Sequence, residues 1–119
     1  MHSFDNCSSS LFSASEIYGT QKIERVTQVP VVGINEILAA YADYADIVSI
    51  DTEGMDEEIV RAINFSLYQP KIFCIETITQ HANNEFYKNK ELINFLISQG
   101  YVVYADTYLN TIFVHGSLW

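Results

Sequence analysis

Positive charge is what this sequence has least of. Six Lys and Arg stand against fifteen Asp and Glu over 119 residues, a formal net charge of -9, and the six are dispersed. A phosphate backbone is recognised by clustered Lys and Arg, so nucleic acid is not an expected partner, and the acidic excess reads as a solubilising surface. Cysteine is as scarce. Cys7 and Cys74 make no disulfide framework, and Cys74, inside the run Ile72-Phe73-Cys74-Ile75, reads as a small core hydrophobe. A reducing, cytoplasmic setting is the expectation. No apolar run approaches the ~20 residues of a membrane span. The opening Met1-His2-Ser3-Phe4-Asp5-Asn6 has neither the basic nor the apolar region of a signal peptide, so no membrane is expected. The glycines, Gly19, Gly33, Gly54, Gly100 and Gly116, stand too far apart for a glycine-rich turn that would let backbone approach a cofactor closely.

What is present is globular. At 49% hydrophobic, a chain of this length is expected to form one domain and to bury roughly 60–70% of its unfolded surface. Residues 1–28 are the least organised: Ser8, Ser9, Ser10, Ser13 and Ser15 break any period, and an edge hairpin near residues 23–29 is the most they suggest. The ordered part is expected over residues 29–119. Val29-Pro30-Val31-Val32 reads as a short strand, which Pro30 confines to an edge or a strand end. Asn35 suits the cap of a helix carrying Ile37, Leu38 and Tyr41 on one face.

The centre of the sequence starts at Asp46. Ile47-Val48-Ser49-Ile50 is short and apolar, as a strand covered on both faces should be. Asp51-Thr52-Glu53-Gly54 follows, then a helix with Asp56, Glu57 and Glu58 in its first turn, where the dipole favours anions. Residues 71–78 read as a second buried strand with Glu76 near its end, and residues 79–89 as a long loop. A helix over about 89–98 turns Leu92, Ile93, Phe95 and Leu96 inward, and Gly100 marks its stop. Residues 101–105 and 111–115 are strands whose short connection demands a hairpin. Strands alternating with helices predict an α/β fold with a mostly parallel sheet and a C-terminal antiparallel hairpin.

Ile50-Asp51-Thr52-Glu53-Gly54-Met55-Asp56 resembles the strand-end signature of FkbM-like methyltransferases: isoleucine, aspartate, any residue, glutamate, glycine, any residue, acidic. Upstream, residues 29–38 are similar to the stretch that precedes it in that family. Downstream, Pro70-Lys71-Ile72 leading to Glu76, then Gly100-Tyr101, then Asn110-Thr111-Ile112-Phe113-Val114, are similar to its last strands. The likeness spans about residues 26–115, in the family's order. It implies part of a Rossmann-like class I methyltransferase fold, its later strands and helices. Such a domain moves a methyl group from S-adenosylmethionine to an acceptor, commonly a hydroxyl on a sugar or natural product. It also implies that the family's first three strands and its glycine-rich cofactor turn lie before residue 1. The 119-residue chain by itself is then expected not to turn over, and an uncovered sheet edge where those strands belong is expected to lead to self-association, to pairing with a separate chain or to aggregation.

The resemblance and the rule that ligands bind beyond the carboxyl ends of strands single out Asp51, Glu53 and Glu76 as candidate catalytic carboxylates. Asp51 and Gly54 are candidates for cofactor contact, and Glu76, His81 and Tyr108 for a small-molecule or glycan acceptor. Each has a plainer reading. Asp51 suits a helix cap, Glu53 the helix dipole, His81 an exposed loop, and Tyr108 a turn, while Tyr101 and Tyr104 suit strand packing. The three carboxylates would suit magnesium, but nothing requires a metal. Asp51-Thr52-Glu53-Gly54 also loosely resembles the aspartate loop of haloacid dehalogenase-like phosphotransferases. That loop wants a second aspartate where Glu53 stands, and a downstream acidic pair. A non-catalytic binding or dimerising α/β module is the other alternative.

Overall fold

Ile47-Val48-Ser49-Ile50 and Ile72-Phe73-Cys74-Ile75 are too short for helices and too apolar for loops, and they lie side by side as parallel strands. The computed structural model describes residues 2–4, 9–10, 23–41, 43, 45–52, 54–80 and 85–118, and divides into the units Met1–Val32 and Gly33–Trp119. In the first, β1 (His2–Phe4), β2 (Ser9–Ser10) and β3 (Ile23–Val26) make an antiparallel sheet in the order β2-β1-β3. The strand expected at residues 29–32 is not formed, and Val31 is 89% exposed. Pro30 has no N–H to give a ladder.

The second unit holds β4 (Ile47–Ile50), β5 (Ile72–Glu76), β8 (Tyr101–Asp106) and β9 (Asn110–His115), in the order β4-β5-β9-β8. Only the β4–β5 pairing is parallel; β9 runs antiparallel to both its neighbours. The sheet is therefore mixed, which corrects the expectation of a mostly parallel one. Residues 107–109 are too few for a crossover, so β9 has to return antiparallel to β8. It then inserts between β5 and β8 because its Thr111 and Phe113 are fully buried, whereas Val102, Val103 and Tyr104 of β8 are exposed. The strand with the more deeply buried residues takes the interior and the more exposed one the edge, although β8 carries more apolar residues than β9. A register shift between Val103 and Ala105 marks that edge, a common way of blunting one.

Among the described residues of this unit are three α-helices: α1 (Ile34–Tyr41), α2 (Asp56–Arg61) and α3 (Lys90–Ser98). Phe73 and Ile75 of β5 and Phe113 of β9 join Val60 of α2 and Leu92 and Leu96 of α3 in one core, all at most 1% exposed. Burying each such side chain contributes about 1.5–3 kcal/mol.

Three local expectations change. Gly33 begins α1, its carbonyl accepting from the N–H of Glu36 and Ile37. Asn35 is therefore inside the helix rather than its cap. Its side chain instead donates to the Ala62 carbonyl at 2.8 Å and accepts from the Asn64 N–H at 2.8 Å, tying α1 to the loop after α2. Of the face predicted for α1, only Leu38 is buried, while Ile37 and Tyr41 are exposed. The strand expected at 71–78 stops at Glu76, and a short hairpin of β6 (Ile78–Gln80) and β7 (Phe86–Lys88) takes the place of the expected long loop. The interruption is Thr77, which is 1% exposed and whose N–H donates to the Leu109 carbonyl at 2.9 Å. By contrast α3 starts and stops as its sequence predicts. Asn89 caps it, accepting from the Leu92 N–H at 2.9 Å, and Gly100 follows it at φ 94°.

Candidate active site

Because β4, β5 and β8 run the same way, their carboxyl ends and the start of β9 share one end of the sheet. Ile50 lies opposite Ile75, so the next positions, Asp51 and Glu76, stand side by side where β4 and β5 finish. Glu76 is in turn opposite Asn110, and Asp106 opposite Thr111. This end thus presents Asp51, Glu76, Asn110 and Asp106 on four neighbouring strands. Asp51 is exposed and Glu76 half-buried. Ligands of open α/β sheets bind beyond such ends.

The loop after β4 is shaped from behind. Asp56, the first residue of α2, is 7% exposed, and its Oδ1 accepts from the Thr52 N–H at 3.1 Å. Gly54 sits at φ 110° with nothing within 4 Å of where a Cβ would be, a conformation that glycine adopts at little cost. The last acidic residue of the signature therefore holds the loop, while Asp51 faces outward. Thr52 Oγ1 is buried with no hydrogen-bond partner.

A second set of bonds closes the other side. Asn89 donates its backbone N–H to the Thr77 carbonyl at 2.7 Å and its Nδ2 to Glu57 Oε2 at 2.7 Å. Thr77 and Thr111 share a hydroxyl contact of 2.6 Å in the core. Lys88 Nζ reaches Asp106 Oδ1 at 2.7 Å and the Tyr108 carbonyl at 2.9 Å, fastening β7 to the β8–β9 turn. Tyr108 occupies the left-handed region at φ 75°, steadied by the bond from its N–H to Asp106 Oδ1 at 2.8 Å. Its side chain is 66% exposed. The Asn89 bond, and then Arg61, hold the Glu57 carboxyl below its ordinary 4.5. The Lys88 ammonium, and then the Tyr108 N–H, hold Asp106 below 3.8.

Among the predicted site residues, Asp51, Gly54, Glu76 and Tyr108 thus lie at this one end of the sheet, and Glu53 and His81 lie outside the described residues. Sequence reasoning took Asp56 only as a dipole partner, Asn89 only as a helix start and Thr77 only as strand. An asparagine three residues before Leu92 is a cap signal, but no local pattern links it to Glu57, 32 positions away. A cleft of about 200 Å³ lies at the opposite end of the strands, among Leu38, Asp46, Tyr68, Pro70 and Lys71. It holds none of the candidate residues. No group of three potential ligands among the described residues gathers around a metal position.

Exposed carboxylates and a freely turning Gly54 suit a polar ligand at the strand ends, but close-spaced glycines for a cofactor's tail are not among these residues. The group therefore fits only in part, and no chemical step is derived through it. No helix among the described residues is long and apolar enough to cross a membrane.

A family model, the methyltransferase FkbM domain, matches residues 2–103. That span takes in Asp51, Gly54, Glu76 and Asn89. It reaches further upstream than the likeness read from the motifs, and it ends before β9. No curated protein and no solved structure matches the chain. With most of its length covered by that one model, and the signature folded as a strand end, the chain belongs to the FkbM methyltransferase family.

Proposed function

We propose that the chain is the later part of a Rossmann-like, S-adenosylmethionine-dependent methyltransferase domain that methylates a hydroxyl on a sugar or natural product. The observation that carries this reading is the pairing of Asp51 and Glu76 on adjacent parallel strand ends, within the span of the family match. S-adenosylmethionine, when bound, supplies an electrophilic methyl group on a cationic sulfur. What the chain supplies is carboxylate chemistry. Removing the acceptor proton calls for a general base within hydrogen-bond reach, and the developing charges call for fixed electrostatic partners. Under this reading Asp51, exposed and with Gly54 three residues on, faces the cofactor or the acceptor. Glu76 and Tyr108 form the acceptor side.

Titration of S-adenosylmethionine into the purified chain by calorimetry tests the reading. The 119-residue chain alone is expected to give no saturable heat. The same chain joined to upstream family sequence is expected to bind and to methylate, with Asp51→Ala lowering turnover by about 100-fold. Saturable binding by the chain alone places the cofactor site within it and ends the partial-domain reading. Full turnover in Asp51→Ala removes the proposed role of the carboxylate.

A further inference from the structure

The geometry points to Asn89 as the positioning residue of this site, the side chain that fixes the Asp51 loop against the end of the Glu76 strand. The inference rests on the functional reading above for what the site does, and on hydrogen bonds for how it is held.

Asn89 uses three groups in three directions. Its Oδ1 caps α3 through the Leu92 N–H, its backbone N–H holds the Thr77 carbonyl, and its Nδ2 holds Glu57 Oε2. The last two contacts each lead to a candidate residue. Thr77 follows Glu76 directly. Glu57 follows Asp56, which holds the Thr52 N–H next to Asp51. On the chain's other side Lys88, its neighbour, grips Asp106 and Tyr108. The bonds thus run unbroken from the Asp51 loop to the Glu76 strand end through this one residue.

The residue type argues the same way. Capping alone is served as well by Asp or Ser, and Asp adds a favourable charge at the helix N-terminus. Here the side chain must accept from the helix and donate to a carboxylate at once. A short primary amide does both; a carboxylate cannot donate, and a serine hydroxyl is too short to divide its reach. Small displacements of reacting groups are costly in rate, so a bond that sets the spacing of two carboxylates acts on the chemistry without touching substrate.

The test uses amide hydrogen exchange by NMR on the 119-residue chain. Asn89→Asp keeps the cap and the backbone bond to Thr77 but turns the Glu57 contact into a repulsion of carboxylates. The Thr52 amide is expected to exchange about tenfold faster or more, as coupled neighbours do, while the Leu92, Ile75 and Phe113 amides keep their rates. In Asn89→Asp with Glu57→Gln, donor and acceptor are exchanged, and the Thr52 rate is expected to return to within about threefold of the parent. Glu57→Ala, which leaves the cap whole, is expected to loosen Thr52 as Asn89→Asp does, and Arg61→Met, which removes the ion pair and the guanidinium's contact with the Phe95 ring but not the Asn89 bond, is not. An unchanged Thr52 rate in both Asn89→Asp and Glu57→Ala overturns the proposal, and so does a double variant no slower than the single one. Failure of S-adenosylmethionine binding leaves these rates as they are and removes the functional reading alone.

Discussion

The two ends of the four-stranded sheet are built from the same strands and solve different problems. At the end where β8 starts and β9 finishes, Tyr101 is 1% exposed, and its ring meets Phe73 at 5.2 Å, His115 at 5.1 Å and Phe65 at 6.0 Å, all edge-on. Its hydroxyl donates to the Pro70 carbonyl at 2.7 Å, and burial pushes that phenol well above its ordinary range. At the other end the residues are carboxylates, amides and hydroxyls, held by directed bonds rather than by packing. Edge-on aromatic pairs contribute about 0.5–1.5 kcal/mol each beyond the area they bury, whereas a hydrogen bond near solvent contributes little net and mainly fixes geometry. One end secures the fold, and the other places groups where a ligand can reach them.

Substitutions should separate the two ends by size. Phe73→Ala, at a 0% exposed site touching Phe65 and Tyr101, is expected to cost about 3–5 kcal/mol, read as the urea midpoint or as loss of folded protein. A cost near zero would mean that the aromatic end is not what holds the sheet. Tyr101→Phe keeps the ring but strands the Pro70 carbonyl, so a loss of about 1–3 kcal/mol is expected from the same measurement.

The smallest effect belongs to the polar end. Asp106 titrates below its ordinary value because of Lys88 and the Tyr108 N–H. A depressed carboxyl stabilises the fold above its unfolded pKa, and that contribution is lost as pH falls through the folded one. Lys88→Met should therefore lower the urea midpoint at pH 7 by less than either aromatic substitution, since the pair is partly exposed. The difference from the parent should shrink as pH falls through the folded pKa of Asp106, leaving what the Lys88 bond to the Tyr108 carbonyl contributes. A difference as large in acid as at pH 7 would assign the loss to that carbonyl bond or to packing rather than to the Asp106 charge.

How far the sequence could be read followed the same division. Helix α3 was legible from end to end, because its cap, its apolar period and its stop glycine are neighbours in the chain. The hairpin of β8 and β9 was legible because a three-residue connection leaves no other choice. Asp51 and Glu76 were expected at the carboxyl ends of strands, and the fold puts them at the ends of the adjacent strands β4 and β5. The strand at residues 29–32 failed because β-propensity and partner are separate conditions. The long loop at 79–89 was misread because a polar stretch with few signals hides the short pairing of Ile78–Gln80 with Phe86–Lys88.

By itself, then, the sequence determined that this chain is an acidic α/β protein with an Asp-Thr-Glu-Gly strand end of FkbM type. Hydrophobic period, turn residues and signature spacing are all local properties. Only the tertiary structure decided that β9 enters the sheet beside β5, that Asp56 turns inward while Asp51 turns out, and that Asn89 reaches Glu57. Those outcomes depend on which buried surface offers most contact, and on donors meeting acceptors across 32 positions of chain. No short window of residues contains that information.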